Sequence, residues 1–253
     1  MFIDKTAIIT GASRGIGLAI GRRLHRDGAR VALCARSLDA LNAHVAELGA
    51  DRAIAVPMDI RDPDGVHAAM DTIARQFGKI DIVVNNAGVS GVTPIDAPSS
   101  APWSDIVMTN LFGTYYVTRA AMPYISDGGR ILVISSVLGK FGVPGYSAYC
   151  ASKTGLIGFV RALALELAPR RIAVNAICPG WTDTEMAWSG MRDISSSLGV
   201  ALEEFKRDAM ARVPLGEMVQ PGEVAGLVAF LASDAGRNIT AQAISICGGS
   251  TQA

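Results

Sequence analysis

The alternation of short apolar runs with longer segments of helical periodicity constrains this chain more than any other feature. Strand candidates are Thr6 to Thr10, Val31 to Ala35, Ala53 to Pro57, Ile82 to Asn85, Arg130 to Ser135, Ile172 to Ile177 and Ala243 to Ile246. Between them, Ile16 to Asp27, Leu38 to Leu48, Gly65 to Phe77, Asp105 to Tyr124, Ser147 to Leu167 and Pro221 to Ser233 repeat apolar residues at the spacing of a helix face. The strand runs are nearly continuous in apolar residues, as strands covered on both sides must be. The pattern predicts an α/β fold: one doubly wound parallel sheet of about seven strands with helices on both faces. With 253 residues the chain is long enough for one large domain or at most two small ones, and the continuous alternation predicts one. It can bury roughly three quarters of its unfolded surface without disulfides or a structural metal.

Charge excludes several partners. The 23 basic and 23 acidic side chains cancel, so no bulk field draws nucleic acid or an anionic membrane. Hydrophobic residues reach 50% and charged ones only 18%. Even so, no run of about 18 apolar residues is present to span a bilayer. Asp4 and Lys5 stand where a signal peptide would need an apolar stretch, and the expectation is a soluble, cytoplasmic protein. Cys34, Cys150, Cys178 and Cys247 lack disulfide or zinc spacing and read as reduced, mostly core thiols, with no metal site. His25, His44 and His67 fall on polar helical stretches and read as surface residues.

In a sheet of this kind ligands sit beyond the carboxyl ends of the strands, near the reversal of strand order. The first strand ends in Thr10-Gly11-Ala12-Ser13-Arg14-Gly15-Ile16-Gly17 and then opens a helix. Glycines there let the backbone approach a pyrophosphate at the positive end of the helix dipole. Tyr149 and Lys153 are four residues apart on one predicted helix and so share a face. An ammonium beside a phenol favours phenolate and brings a group of ordinary pKa near 10 toward working pH. Ser136 follows the fifth strand, thirteen residues before Tyr149, where its hydroxyl can polarise a carbonyl oxygen. Ser135 beside it faces the other way and reads as structural. Asn110 is an unfavourable residue for mid-helix and marks a disturbed or hydrated ladder.

With Asn85-Asn86-Ala87-Gly88, Tyr149-Cys150-Ala151-Ser152-Lys153 and Pro179-Gly180-Trp181-Thr182-Asp183-Thr184, these motifs run through almost the whole chain in one order. In that order and spacing the chain resembles the short-chain dehydrogenase/reductase family, and among its members the 3-oxoacyl-thioester and polyketide ketoreductases. The resemblance implies a Rossmann-type fold, with residues 1–135 binding the dinucleotide and residues 136–253 carrying catalysis. The long segment at 181–214 reads as a substrate lid. It implies Ser136, Tyr149 and Lys153 as catalytic residues, with Asn110 holding a water in a proton relay. Gly11, Ser13, Arg14, Gly15, Ile16, Gly17, Arg36, Ser37, Asp59, Ile60, Asn86, Ala87, Gly88, Tyr149, Lys153, Pro179, Gly180, Thr182 and Thr184 are the expected cofactor contacts. Asp59 matches a position against the adenine ring and doubles as a candidate cap before Asp62-Pro63.

Cofactor choice is read at the end of the second strand. An NAD site usually places an acid there for the ribose hydroxyls, and here Ala35 is followed by Arg36 and Ser37. With Arg14 they favour a 2′-phosphate, so NADP(H) is expected in preference to NAD(H). The substrate is a small-molecule carbonyl or alcohol, walled by Val137, Leu138, Tyr146, Cys150, Trp181, Met186 and Trp188 around Ser136 and Tyr149. An NAD(H)-linked secondary alcohol dehydrogenase would share every motif, and a non-catalytic dinucleotide-binding regulator is the distant alternative. Tyr115, Tyr116, Phe159 and Leu163 make two helices apolar on more than one face, and the resemblance implies a homotetramer built on them.

Overall fold

A computed structural model describes residues 1–251 of the chain. The strands are β1 (Thr6–Thr10), β2 (Arg30–Ala35), β3 (Ala53–Pro57), β4 (Ile80–Asn85), β5 (Ile125–Ile134), β6 (Ala173–Pro179) and β7 (Ala243–Ile246). They form one parallel sheet in the order β3-β2-β1-β4-β5-β6-β7. The order reverses between β1 and β4, where Ala7 is level with Ile82 and Ile9 with Val84. All seven strands match the sequence expectation to within a few residues, except that β5 begins earlier through an irregular segment around Gly128.

Side chains on a strand alternate between faces, and here each face has its own core. Ile8, Val83, Ile131 and Val133 point to one side and pack with Met70, Leu156 and Val160. Ile9, Val84, Leu132 and Leu33 point to the other and pack with Ile20, Leu24 and Val228. The helices supplying the first layer are α3 (Pro63–Phe77), α5 (Gly113–Ala121) and α6 (Ser147–Leu167); α1 (Gly15–Arg26), α2 (Leu38–Leu48) and α9 (Pro221–Ala232) supply the second. Both layers explain why the strand runs are apolar throughout and why charge is scarce.

Local chemistry sets the helix starts. Ser37 caps α2, accepting from the Ala40 amide, and Asp62 caps α3, accepting from Asp64 ahead of Pro63. The cap expected of Asp59 is therefore made by Asp62. Gln220 and Glu223 form a reciprocal capping box on α9.

Three expectations change. The predicted helix from Asp105 to Tyr124 is α4 (Ala101–Val107), a π-helical turn Met108–Phe112 and then α5, with Asn110 inside the wide turn. The segment at 181–214 contains two helices, α7 (Glu185–Leu198) and α8 (Leu202–Ala211). His25 is buried, and burial first, then the Arg52 charge, lowers its pKa. His44 is largely covered as well. Among the described residues no helix is long and apolar enough to cross a membrane.

Gly17 shows how tightly α1 sits on the sheet. A Cβ there would lie 2.3 Å from the Gly11 carbonyl oxygen and 2.5 Å from Asn86 Nδ2. Gly17→Ala should destabilise the fold by about 1–3 kcal/mol or more, because backbone has to move to admit the methyl. Urea unfolding of both proteins measures the difference, and an unchanged midpoint would contradict this packing.

Candidate active site

The carboxyl ends of the strands border a cavity of about 1480 Å³. One end is formed by the loop between β1 and α1. Gly11 and Gly15 adopt φ of +65° and +56°, the left-handed region that glycine enters without strain. Ser13, Arg14, Gly15 and Ile16 line the cavity with Gly11, and Thr184 lies directly against Gly15, its methyl 3.3 Å from where a Cβ would stand. Gly17 does not line it, being covered beneath the loop. Arg36, Ser37, Asp59, Ile60, Ala87, Gly88, Pro179, Gly180 and Thr182 all border the same space.

Asn86 also borders it, but its side-chain amide is used structurally. Nδ2 donates to the Thr10 carbonyl at 2.9 Å, while the Thr10 hydroxyl accepts the Asn86 and Ala87 amides at 3.0 Å each. Thr182 is likewise occupied, its hydroxyl donating to Gly180 O at 3.1 Å, and Thr184 caps α7 by accepting from the Ala187 amide. The sequence reading missed Arg61, which lines the cavity and pairs with Asp59. Burial works to raise the Asp59 carboxyl, but hydrogen bonds from Arg61 and the charges of Arg61 and Arg36 outweigh it, and its pKa is lowered. Arg61 directly follows two predicted cofactor positions, which was the available signal.

Ser136, Tyr149 and Lys153 come together on the wall of the same cavity. Ser136 follows β5 in extended conformation, buried, with its oxygen accepting from the Leu138 amide at 3.1 Å. Tyr149 and Lys153 stand one turn apart on α6, the lysine Nζ 5.5 Å from the phenol ring centre. Nζ donates to the Ile134 carbonyl at 2.9 Å, in a side chain only 4% exposed. Ser135 points away, as expected, and donates to the Lys153 carbonyl at 2.9 Å, tying the strand to the helix.

Burial dominates the electrostatics. It pushes the Tyr149 phenol up to about 12, opposed by a hydrogen bond with Ser136, and it draws the Lys153 ammonium down to about 8. The expected lowering of the phenol by the lysine is therefore absent in the protein alone. With Tyr149 neutral at physiological pH, its ready role is that of a proton donor.

Asn110 lies one layer behind the cavity and is fully buried. Its amide grips Val89 at both ends, accepting from Val89 N at 2.8 Å and donating to Val89 O at 2.9 Å, with a further bond to Ser152 Oγ. Its own carbonyl takes the Thr114 hydroxyl at 2.7 Å. A Cβ on Gly88 would come 3.1 Å from Asn110 Oδ1 and 3.5 Å from Lys153 Nζ, so the loop after β4 passes directly over this pair.

On the lid side, Leu138, Tyr146, Trp181 and Met186 line the cavity, with Phe205 and Ala209 of α8 beyond them. Trp188 and Cys150 do not. The Trp188 indole donates to Asp183 at 2.7 Å and carries Lys206 Nζ 4.7 Å above its ring, so it joins α7 to α8 outside the cavity.

The glycine-rich loop and cationic lining suit a phosphorylated dinucleotide: Gly11 and Gly15 bring the main chain to the cavity wall, and Arg14, Arg36 and Arg61 offer donors and charge.

A buried ammonium should also mark stability. Lys153 is held below its unfolded pKa, so below about pH 8 its charge, present in both states, disfavours folding. Above the ordinary lysine pKa of about 10.4 both states are neutral and the penalty is gone. Lys153→Met should be more stable than the native chain near pH 7, on the order of 3 kcal/mol. That advantage should shrink as pH rises from 8 to 10.5. Urea titrations across this range measure it, and a difference that stays constant would refute the burial cost.

Residues 11–251 match the family model described as enoyl-(acyl carrier protein) reductase. A putative ketoacyl reductase of Streptomyces coelicolor is 40% identical over 252 residues, covering 97% of each chain. The 3-oxoacyl-[acyl-carrier-protein] reductase of Escherichia coli is 36% identical over 250 residues, covering 98% of each. Among solved structures, a tryptophan variant of actinorhodin polyketide ketoreductase with NADPH superposes with a TM-score of 0.93 at 40% identity, covering 99% of both chains. A short-chain dehydrogenase/reductase from Brucella melitensis superposes with a TM-score of 0.91 at 30% identity, covering 100% of this chain and 98% of the other. With its sheet order, glycine-rich turn and Ser136-Tyr149-Lys153 grouping, the chain belongs to the short-chain dehydrogenase/reductase family.

Proposed function

We propose that this chain is an NADP(H)-dependent reductase of ketones, with 3-oxoacyl thioesters as its leading substrate class. One observation carries the reading: a serine hydroxyl, a neutral phenol and a buried ammonium converge on the wall of a cavity that has a glycine-rich cationic loop at one end and apolar lid helices at the other. When bound, the dihydronicotinamide supplies the hydride. Tyr149 gives its proton to the carbonyl oxygen as charge develops there, and Ser136 donates a hydrogen bond that holds that oxygen beside the phenol. Lys153, anchored on Ile134 O beside the phenol ring, would hold the nicotinamide ribose; in the protein alone it does not lower the phenol pKa. Asn110 keeps the loop after β4 against this group through Val89. The division at 1–135 and 136–253, with residues 181–214 as the lid, belongs to the same proposal.

The thioester class is supported by relatives named for ketoacyl reduction and by a wall of Leu138, Phe141, Tyr146, Trp181 and Met186 suited to an acyl chain. Preference for NADP(H) over NAD(H) is supported by Ala35 at the β2 end and by Arg14, Arg36 and Arg61 around the adenosine end. A homotetramer is supported by Phe112 and Tyr115, 44% and 41% exposed, which cluster with Tyr116 and Phe159 on the outer side of α5 and α6. Leu163, expected in that surface, is instead buried in the core. Four free thiols, three of them buried, fit a reducing compartment such as the cytoplasm.

Tyr149→Phe should lower the turnover of a 3-oxoacyl thioester by about 10²- to 10⁴-fold while NADPH binding persists. Native turnover in the folded variant would remove the assignment. Arg36→Ala should raise KM for NADPH by roughly 10- to 100-fold and leave KM for NADH nearly unchanged. An equal loss with both cofactors would remove the 2′-phosphate role.

A further inference from the structure

One side chain reaches the glycine-rich loop from outside the cavity. His44, on α2, places Nε2 3.0 Å from the carbonyl oxygen of Ser13. We propose that His44 is a positioning residue that presets the Ser13–Arg14 peptide for a dinucleotide phosphate; this rests on the cofactor reading above.

A carbonyl oxygen only accepts, so Nε2 must carry a hydrogen. Nδ1 then bears the lone pair, buried without a hydrogen-bond partner and 3.9 Å from a carboxylate oxygen of Glu47. Glu47 in turn pairs with Arg22 at 2.5 Å. A protonated ring would keep the Nε2–H bond and turn Nδ1–H toward Glu47, so the clamp operates in either charge state.

Its effect on the loop follows from peptide geometry. In a trans peptide the C=O and the next N–H point in opposite directions. Fixing the Ser13 carbonyl on the α2 side therefore fixes the Arg14 N–H on the other. That N–H and the Ser13 N–H have no protein acceptor among the described residues, which leaves both as donors for a phosphate oxygen. The loop needs such a restraint because Gly11 and Gly15, on either side, leave the unconstrained chain with more conformations than other residues would. Holding the peptide before the ligand arrives lowers the ordering cost of binding.

The test is equilibrium titration of NADPH fluorescence on the native chain, His44→Phe and His44→Gln. Phenylalanine keeps a flat ring but has no donor, whereas the glutamine amide can again donate to Ser13 O. His44→Phe should weaken NADPH binding about three- to tenfold, with KM for NADPH rising in parallel while kcat at saturating cofactor stays within about twofold. His44→Gln should recover most of the affinity. Native affinity in His44→Phe, or equal loss in both variants, overturns the proposal. A residue that served packing alone would lower the thermal midpoint in both variants without separating their affinities. If His44→Phe proves unstable, His44→Leu replaces it in the same comparison with His44→Gln. A native chain that fails to bind NADPH would instead refute the cofactor reading itself.

Discussion

The site depends on one junction, where β1 and β4 end side by side and the order of strands reverses. There the Thr10 hydroxyl accepts the amides of Asn86 and Ala87 and points its own hydrogen at Val84 O, while Asn86 Nδ2 returns to the Thr10 carbonyl. These bonds are shielded, so each lost partner would leave a polar group without water to replace it. They hold the glycine-rich loop against the loop after β4 at a fixed spacing. Gly11 is required by the same closeness, since a Cβ there would come 2.8 Å from Ala87 Cα.

Everything reactive is built outward from that junction by burial. The sheet is covered on both faces, so its carboxyl edge is the surface where polar groups can gather. Lys153 rises from α6 through this covered region, with its ammonium on a single main-chain acceptor. The same low-polarity surroundings lower the lysine, raise the tyrosine and leave the phenol protonated. The catalytic role proposed for Lys153 and folding stability are thus opposed, a cost borne by the two cores on either side.

The fold was largely legible because its signal is local and repeated. Apolar runs marked all seven strands, and Asn110, a poor residue for mid-helix, marked the π-helical turn that carries it. Tyr149 and Lys153 were legible as neighbours because residues one helical turn apart share a face, and Ser136 from its place at the end of the fifth strand and from the family resemblance. Errors arose where several elements compete for one side chain. Trp188 looked like substrate wall but is taken by Asp183 and Lys206, and Asp59 looked like a cap but is taken by Arg61 while Asp62 caps α3. The contact of His44 with Ser13 spans 31 residues and leaves no periodic trace.

By itself the sequence determined the layered parallel sheet, the glycine-rich turn at its leading strand and the shared helix face of Tyr149 and Lys153, because each is set by residue type at short range. Only the tertiary structure decided how those residues are charged and which of them are free to act. Those properties come from burial and from hydrogen bonds between distant segments, as where one burial raises a phenol and lowers an ammonium and the Asn86 amide is spent on the main chain. Such effects depend on what surrounds a residue in space, and no spacing along the chain encodes that directly.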